Sequence, residues 1–154
     1  MKHVVCGLAA LALVAATARD ARAAASCSFM SATGPAFGSY DVFKASSTDS
    51  AGNLSFTCTG GASLTITLSA GLGMSYTPRL LQRMGGGATL PYNLYLDGNH
   101  TQIWGDGNGS TFVNGPLNPV DGAINMISIY GSIPPNQDVP LGTYNDTVVV
   151  TLNF

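Results

Sequence analysis

The stretch WGDGNGS, residues 104–110, spaces acidic and amide side chains like the start of a calcium-binding loop. Asp106, Asn108 and Ser110 alternate along it, and Ca²⁺ prefers oxygen ligands at alternating positions of this kind. The sixth position of such a loop calls for glycine but is Thr111, and the sequence has no Glu to close the site. We therefore interpret the stretch as a turn in which Asp and Asn bond their own backbone and Gly supplies positive φ. Trp104 is expected to be a core residue or a loop anchor.

An enzyme would need a base and a nucleophile, and the sequence offers few candidates for either. Beyond the first residues the only histidine is His100, in LDGNHTQ, a stretch that is typical of a turn. Serines are numerous, yet none lies in a G-x-S-x-G motif or another nucleophile signature. We interpret His100 and Asp97 as solvated polar groups of that turn and predict that the protein is not an enzyme.

The first residues have the composition of a secretory signal. Lys2 and His3 precede the apolar run VVCGLAALALVAATA, which is too short for a membrane span and is followed by A-x-A cleavage sites. We predict a signal peptide over residues 1–23 and a mature domain over residues 24–154. Cleavage after residue 25 is equally compatible, and cleavage after residue 18 is an earlier alternative. No membrane span is expected after cleavage.

Two cysteines, Cys27 and Cys58, remain in the mature chain once Cys6 leaves with the signal. In an exported protein they most simply form one disulfide, and closing a loop of about 30 residues stabilises a fold by roughly 3–4 kcal/mol. A pair of free thiols is the alternative. A metal site is disfavoured because the mature chain has one histidine and no cluster of soft ligands. No cofactor is predicted.

The mature chain is mildly acidic. It has three basic residues, Lys44, Arg79 and Arg83, against seven aspartates. Three scattered cations cannot neutralise a line of phosphates, which disfavours nucleic acid, and no basic cluster suggests anionic lipid. A buried arginine needs a carboxylate or several carbonyls, and we expect Arg79 and Arg83 to find partners among the aspartates.

Short alternating segments between Gly, Pro, Asn and Asp indicate an all-β protein. They are NLSFTC, SLTITLSA, LPYNLYL, INMISIYGSI and TYNDTVVVTLNF. Six or seven such strands in one small domain predict a β-sandwich with Greek-key connections. The one stretch that tolerates a helix is PRLLQRM, residues 78–84, and it is too short to support a different fold class.

The last predicted strand has an unprotected edge. Val148, Val150, Leu152 and Phe154 share one face, and residues 147–154 contain no Lys, Pro or charged side chain of the kind that protects edge strands. Such an edge is a template for another chain, so we predict that a strand of another protein completes it. An ordinary edge strand at this position is the alternative.

The order of several short motifs resembles the spore coat protein U domain family, which also builds subunits of archaic chaperone–usher pili. The motifs are CSF…FGSYD (27–41), LSFTC (54–58), LSAG (68–71), RM…LPYNLYLD (83–97), WGDG (104–107), IYGSIPPNQ (129–137) and GTYNDTVVVTLNF (142–154). The resemblance implies an incomplete immunoglobulin-like Greek-key β-sandwich that lacks its last strand.

The resemblance also implies partners. They are a periplasmic chaperone, an outer-membrane usher and a neighbouring pilus subunit, with the first and the last lending a strand. The expected interface is the face of Val148, Val150, Leu152 and Phe154, with the terminal carboxylate as a candidate anchor for a chaperone cation. The protein would pass through the periplasm to a surface fibre or the extracellular space.

One departure from the family pattern concerns the segment before Cys27. Subunits that donate a strand carry about 10 to 15 alternating residues there, whereas cleavage after residue 23 leaves three residues, an extended reach of about 10 Å. We therefore expect a subunit that accepts a strand but cannot donate one, which places it at the tip or cap of a fibre. The alternative function is a stand-alone secreted or spore-coat-like protein of the same fold.

Overall fold

The computed structural model describes residues 24–154, and this part of the chain folds into nine β-strands. The predicted signal over residues 1–23 lies outside the described residues. Among the described residues no helix is long and apolar enough to cross a membrane. The strands are β1 Ser26–Thr33, β2 Thr48–Thr59, β3 Leu64–Leu68, β4 Arg79–Arg83, β5 Thr89–Tyr95, β6 Asn114–Leu117, β7 Ile124–Ile133, β8 Tyr144–Asn145 and β9 Val150–Asn153.

The strands form two antiparallel sheets that share one core. The larger sheet has the order β1-β2-β7-β5-β4-β8, and the smaller has the order β6-β3-β9. This arrangement confirms the predicted all-β, immunoglobulin-like sandwich. Strand β9 pairs with β3 on one side only, and no strand of residues 24–154 pairs with its other edge.

The core follows from period-two alternation along the central strands. In β2 the side chains of Leu54, Phe56 and Cys58 are buried while their neighbours face outward, and β3 buries Leu64, Ile66 and Leu68 in the same way. The two inner faces therefore pack on each other as the layers of a sandwich do.

A disulfide joins β1 to β2. Cys27 and Cys58 lie directly opposite each other in the β1–β2 register and are bonded, which confirms the predicted pair. The bond fixes the first strand, most of whose side chains are exposed, to the second strand, whose inner face is buried.

The helix-tolerant stretch PRLLQRM forms strand β4. Leu81 is buried, and the strand pairs with β5 on one side and β8 on the other. The alternating burial along the strand shows why tertiary context overrides the local preference for a helix.

The WGDGNGS stretch is the predicted turn. The Asp106 carboxylate accepts hydrogen bonds from the Asn108 backbone amide and side-chain amide, both at 3.0 Å, and Gly107 and Gly109 have positive φ. Trp104 is fully buried and donates its indole N–H to the Ile66 carbonyl at 2.9 Å. It therefore anchors this loop to β3.

Asp97 organises the turn that contains His100. Its carboxylate accepts hydrogen bonds from the backbone amides of Asn99, Thr101 and Gln102. Slight desolvation acts to raise the pKa of Asp97, but these hydrogen bonds outweigh it and hold the pKa below its ordinary value. The His100 ring lies against Tyr95, with 4.9 Å between ring centroids.

Candidate functional site

After β1 the chain leaves the edge of the large sheet and crosses its inner face. This crossing segment, residues 34–42, passes over Gly52 of β2 and Gly131 of β7. A Cβ on Gly52 would lie 2.0 Å from the Thr33 carbonyl oxygen, and one on Gly131 would lie 2.8 Å from the Phe37 ring. Glycine at both positions is what lets the crossing segment approach the sheet so closely.

Side chains fix the crossing segment in place. The Phe37 ring packs edge-on against Tyr92 of β5, with centroids 6.1 Å apart. The Tyr40 hydroxyl donates to the Pro134 carbonyl at 2.9 Å and accepts from the Gln137 amide at 3.0 Å. Residues 34–40 form no backbone–backbone hydrogen bond within the described chain. Apart from the Ala36 carbonyl, which accepts from the Ser50 hydroxyl of β2 at 2.9 Å, their peptide groups are therefore not bonded to either sheet.

The last strand, by which we mean residues 148–154 including β9, faces the crossing segment from the other side. Val148, Val150 and Leu152 are half-buried against the core, whereas Val149 is 60% exposed and Phe154 is 56% exposed. Three of the four predicted interface residues thus share the core face. Phe154 lies beyond the strand and outside the core cluster.

Strand β9 begins later than the sequence predicts because its pairing with β3 ends at Leu68 and Val150. The Ser69 carbonyl accepts two hydrogen bonds from buried Arg79, at 3.1 and 2.9 Å. The Val149 amide therefore bonds the Ser69 hydroxyl instead, at 2.9 Å. In the stretch just before β9, the Asp146 carboxylate accepts hydrogen bonds from the Leu72 amide and the Tyr92 hydroxyl, each at 2.7 Å.

A groove of about 860 Å³ separates the crossing segment from the last strand. Its walls are residues 32, 34–40 and 42 on one side and residues 139–148 and 150 on the other. Its floor consists of core side chains of the large sheet: Leu81, Leu90, Tyr92, Leu94, Ile129 and Ile133. Each of them is at most 9% exposed, so the groove is a narrow cleft and not an open trough.

The groove is lined mostly by apolar surface, and its one charged lining residue, Asp146, is already hydrogen-bonded. Burial, then the hydrogen bond to Asp146 and the charge of that carboxylate, raise the pKa of Tyr92 well above its ordinary value. Tyr92 is therefore a neutral donor at physiological pH. A ligand of this groove must supply apolar side chains.

The wall formed by the last strand also offers unpaired backbone groups. The N–H and C=O of Val149 both point to Ser69, and backbone groups of successive residues in a strand point to opposite edges. The groups of Val150 and Leu152 therefore point to the open side of β9. An apolar cleft beside an unpaired strand edge is the geometry that accepts an added β-strand.

Sequence reasoning missed several residues of the groove. Val148 and Val150 line it, while Leu152 and Phe154 lie outside its lining, as do Cys27 and Cys58. Tyr40, Tyr92 and Asp146 line it, although no pattern in the sequence places these three residues together. The signal was present in the motifs FGSYD and IYGSIPPNQ, which meet where Tyr40 bonds Pro134 and Gln137.

Comparisons with known proteins agree with this architecture. A family model described as the Spore Coat Protein U domain matches residues 10–151. Protein U of Myxococcus xanthus is 39% identical over 131 residues, which cover 77% of this chain and 70% of that protein.

A solved structure also resembles this one, with a TM-score of 0.54 and 20% identity. It is the CsuC–CsuE chaperone–tip adhesion subunit pre-assembly complex from the archaic chaperone–usher Csu pili of Acinetobacter baumannii. The match covers 85% of this chain and 40% of the matched chain, and it shows that the fold is shared.

Proposed function

Because the chain belongs to the spore coat protein U domain family, we propose that it is an exported structural or adhesive subunit of a chaperone–usher surface fibre. The observation that carries the proposal is the unpaired edge of β9 beside an apolar groove. A strand in this groove would pair with β9 and cover the core side chains of the floor. The sandwich would then be complete.

The proposed partners are a periplasmic chaperone first and a neighbouring subunit later, with an outer-membrane usher as the assembly site. The likeness to a subunit that was solved together with its chaperone supports the chaperone. The need to cover the groove supports it independently, because an unpaired edge next to apolar surface is an aggregation hazard during export.

The proposal is tested by two substitutions at neighbouring positions of the last strand. Val150→Asp puts a charge on the half-buried core face at the groove, whereas Val149→Asp puts the same charge on the exposed face. The chain is co-expressed with a periplasmic chaperone of an archaic chaperone–usher system and purified from the periplasm. We expect a one-to-one complex with the unmodified chain and with Val149→Asp.

The Val150→Asp chain should yield no complex and little soluble protein, since a buried carboxylate without a partner destabilises a domain by more than about 2 kcal/mol. An unmodified chain that stays monomeric and equally stable with and without the chaperone would refute strand acceptance.

A stand-alone secreted or spore-coat-like protein is the second candidate, and the 39% identity to Protein U of M. xanthus favours it. Chaperone and usher genes beside this one support the fibre subunit. Their absence, together with a monomeric exported protein, supports the second candidate.

A further inference from the structure

The middle of each groove wall is positioned by side chains, whereas the wall of residues 139–150 is held on either side of residues 146–148 by the backbone pairing of β8 and β9. Residues 34–40 and residues 146–148 form no backbone–backbone hydrogen bond within the described chain. An apolar cleft with movable walls tends to close on itself, because closure removes apolar surface from water. Something must therefore keep the walls apart while the groove is empty.

Tyr92 contacts both walls from the floor between them. Its hydroxyl donates to the Asp146 carboxylate at 2.7 Å on the side of the last strand. Its ring packs edge-on against Phe37 of the crossing segment, with centroids 6.1 Å apart. The side chain is 4% exposed, so it is held firmly enough to set the distance between these two contacts.

Tyr40 fixes the outer end of the crossing segment. Its hydroxyl is both a donor to Pro134 and an acceptor from the Gln137 amide. The Gln137 side chain in turn donates to the carbonyls of Pro91 and Pro134, at 3.0 and 2.9 Å. The crossing segment is thereby tied to the loop after β7 and to β5, and it cannot move over the floor without breaking these bonds.

We propose that Tyr92 and Tyr40 are positioning residues that hold the two walls of the empty groove at the separation an incoming strand requires. The inference rests on the proposed strand-accepting function and adds how the site stays ready for its partner. Neither tyrosine needs to contact the incoming backbone. Tyr92 acts through Asp146 and Phe37, and Tyr40 acts through Pro134 and Gln137.

Three matched substitutions test the proposal in the exported chain purified from the periplasm. Tyr92→Phe and Tyr40→Phe each remove one hydroxyl from a wall contact. Tyr130→Phe is the control, because Tyr130 pairs with Ala51 and Tyr95 across the large sheet and lies outside the groove lining. The dye 1-anilinonaphthalene-8-sulfonate reports on accessible apolar surface.

We expect dye emission at saturation to fall by about two-fold in Tyr92→Phe and Tyr40→Phe, because the walls close on each other and their half-buried apolar side chains are no longer accessible to the dye. Tyr92→Phe loses one hydrogen bond and Tyr40→Phe loses two, and each lost bond should also lower Tm by about 3–5 °C. Tyr130→Phe should leave emission and Tm unchanged. If the two tyrosines only stabilised the fold, their loss would raise dye emission, since a loosened core binds more dye. Unchanged or higher emission in both variants would therefore overturn the proposal.

A second measurement separates this inference from the proposed function. A fluorescein-labelled peptide of alternating valine and threonine is mixed with each protein in a stopped-flow instrument. The association rate should fall several-fold in the two groove variants relative to Tyr130→Phe, and equal rates would overturn the spacing role. A further outcome is that the three variants show the expected dye emission while the unmodified chain never binds the peptide. In that case strand acceptance fails and the spacing role stands.

Discussion

Arg79 is a buried cation that is satisfied without a carboxylate among its hydrogen-bond partners. It is 0% exposed, and it donates to the carbonyls of Ser69 and Trp104 and to the Asn93 side chain. The aspartate partner expected from the sequence was therefore wrong for Arg79, and Arg83 likewise bonds the Leu141 carbonyl. Carbonyl partners come from distant loops, so composition alone could not reveal them. By taking the Ser69 carbonyl, Arg79 also ends the pairing of β3 with β9.

Tyr92 gives the fold a dependence on alkaline pH. Its pKa is raised by burial and by Asp146, so its neutral form stabilises the fold fully below the unfolded-state pKa of about 10, and this contribution is lost as pH rises above that value. We expect the free energy of unfolding to fall above pH 10, by at most about 1.4 kcal/mol per pH unit for this group.

Urea unfolding between pH 7 and pH 11 measures this dependence. Tyr92→Phe should flatten the decline without abolishing it, because burial also raises the pKa of Tyr76 and Tyr95. An unchanged slope in the variant would show that the Tyr92 hydroxyl does not titrate with the fold.

The crossing segment is the element on which the groove depends, and it requires glycine in β2. We expect Gly52→Ala to lower the free energy of unfolding by more than about 3 kcal/mol, since its Cβ would lie 2.0 Å from the backbone oxygen of Thr33. Backbone atoms cannot yield as a flexible side chain does, so the segment would be displaced and the groove lost.

Gly34→Ala is the matched control in the same region. A Cβ there meets nothing within 4 Å, and Gly34 has no positive φ. Its stability should match the unmodified protein within about 1 kcal/mol. Chemical denaturation of both variants measures the difference, and equal stability would contradict the close crossing over β2.

The elements that sequence predicted best are those whose alternation is uninterrupted. INMISIYGSI coincides with β7, and SLTITLSA contains β3. The predicted last strand is interrupted instead, since residues 146–149 lie between β8 and β9. Hydrogen bonds from Leu72 and Tyr92 to Asp146 hold that stretch outside a regular ladder, and these partners are distant in the sequence.

At the scale of the whole molecule, the unprotected edge could be foreseen but the groove beside it could not. Residues 147–154 contain no Lys, Pro or charged side chain, which predicted a strand with an unpaired edge. Within residues 24–154, one edge of β9 is indeed unpaired. The opposite wall depends on the close crossing over Gly52 and Gly131 and on the bonds of Tyr40. Such long-range contacts leave no periodic signal, and only the family resemblance implied that the sandwich itself lacks its last strand.

For a fibre subunit of the proposed kind, the residues before Cys27 decide whether it can donate a strand. Ser26 and Cys27 belong to β1, where they lie opposite Thr59 and Cys58, so they are committed to the subunit's own sheet. With the predicted cleavage after Ala23, only Ala24 and Ala25 precede β1, and two residues span about 7 Å. No side chain in that remnant could fill an apolar groove on a neighbour.

Under the proposed function, and with cleavage after Ala23, we expect the protein at fibre ends, which immunogold labelling with an antibody to the mature domain would show directly. Amino-terminal sequencing of the exported protein determines the cleavage site, on which this prediction depends. Grafting about twelve alternating residues before Cys27 should move the label into the shaft, since the subunit could then donate a strand as well as accept one. Label along the whole shaft of fibres made by the unmodified chain would show that it already donates a strand, and the terminal position would be wrong.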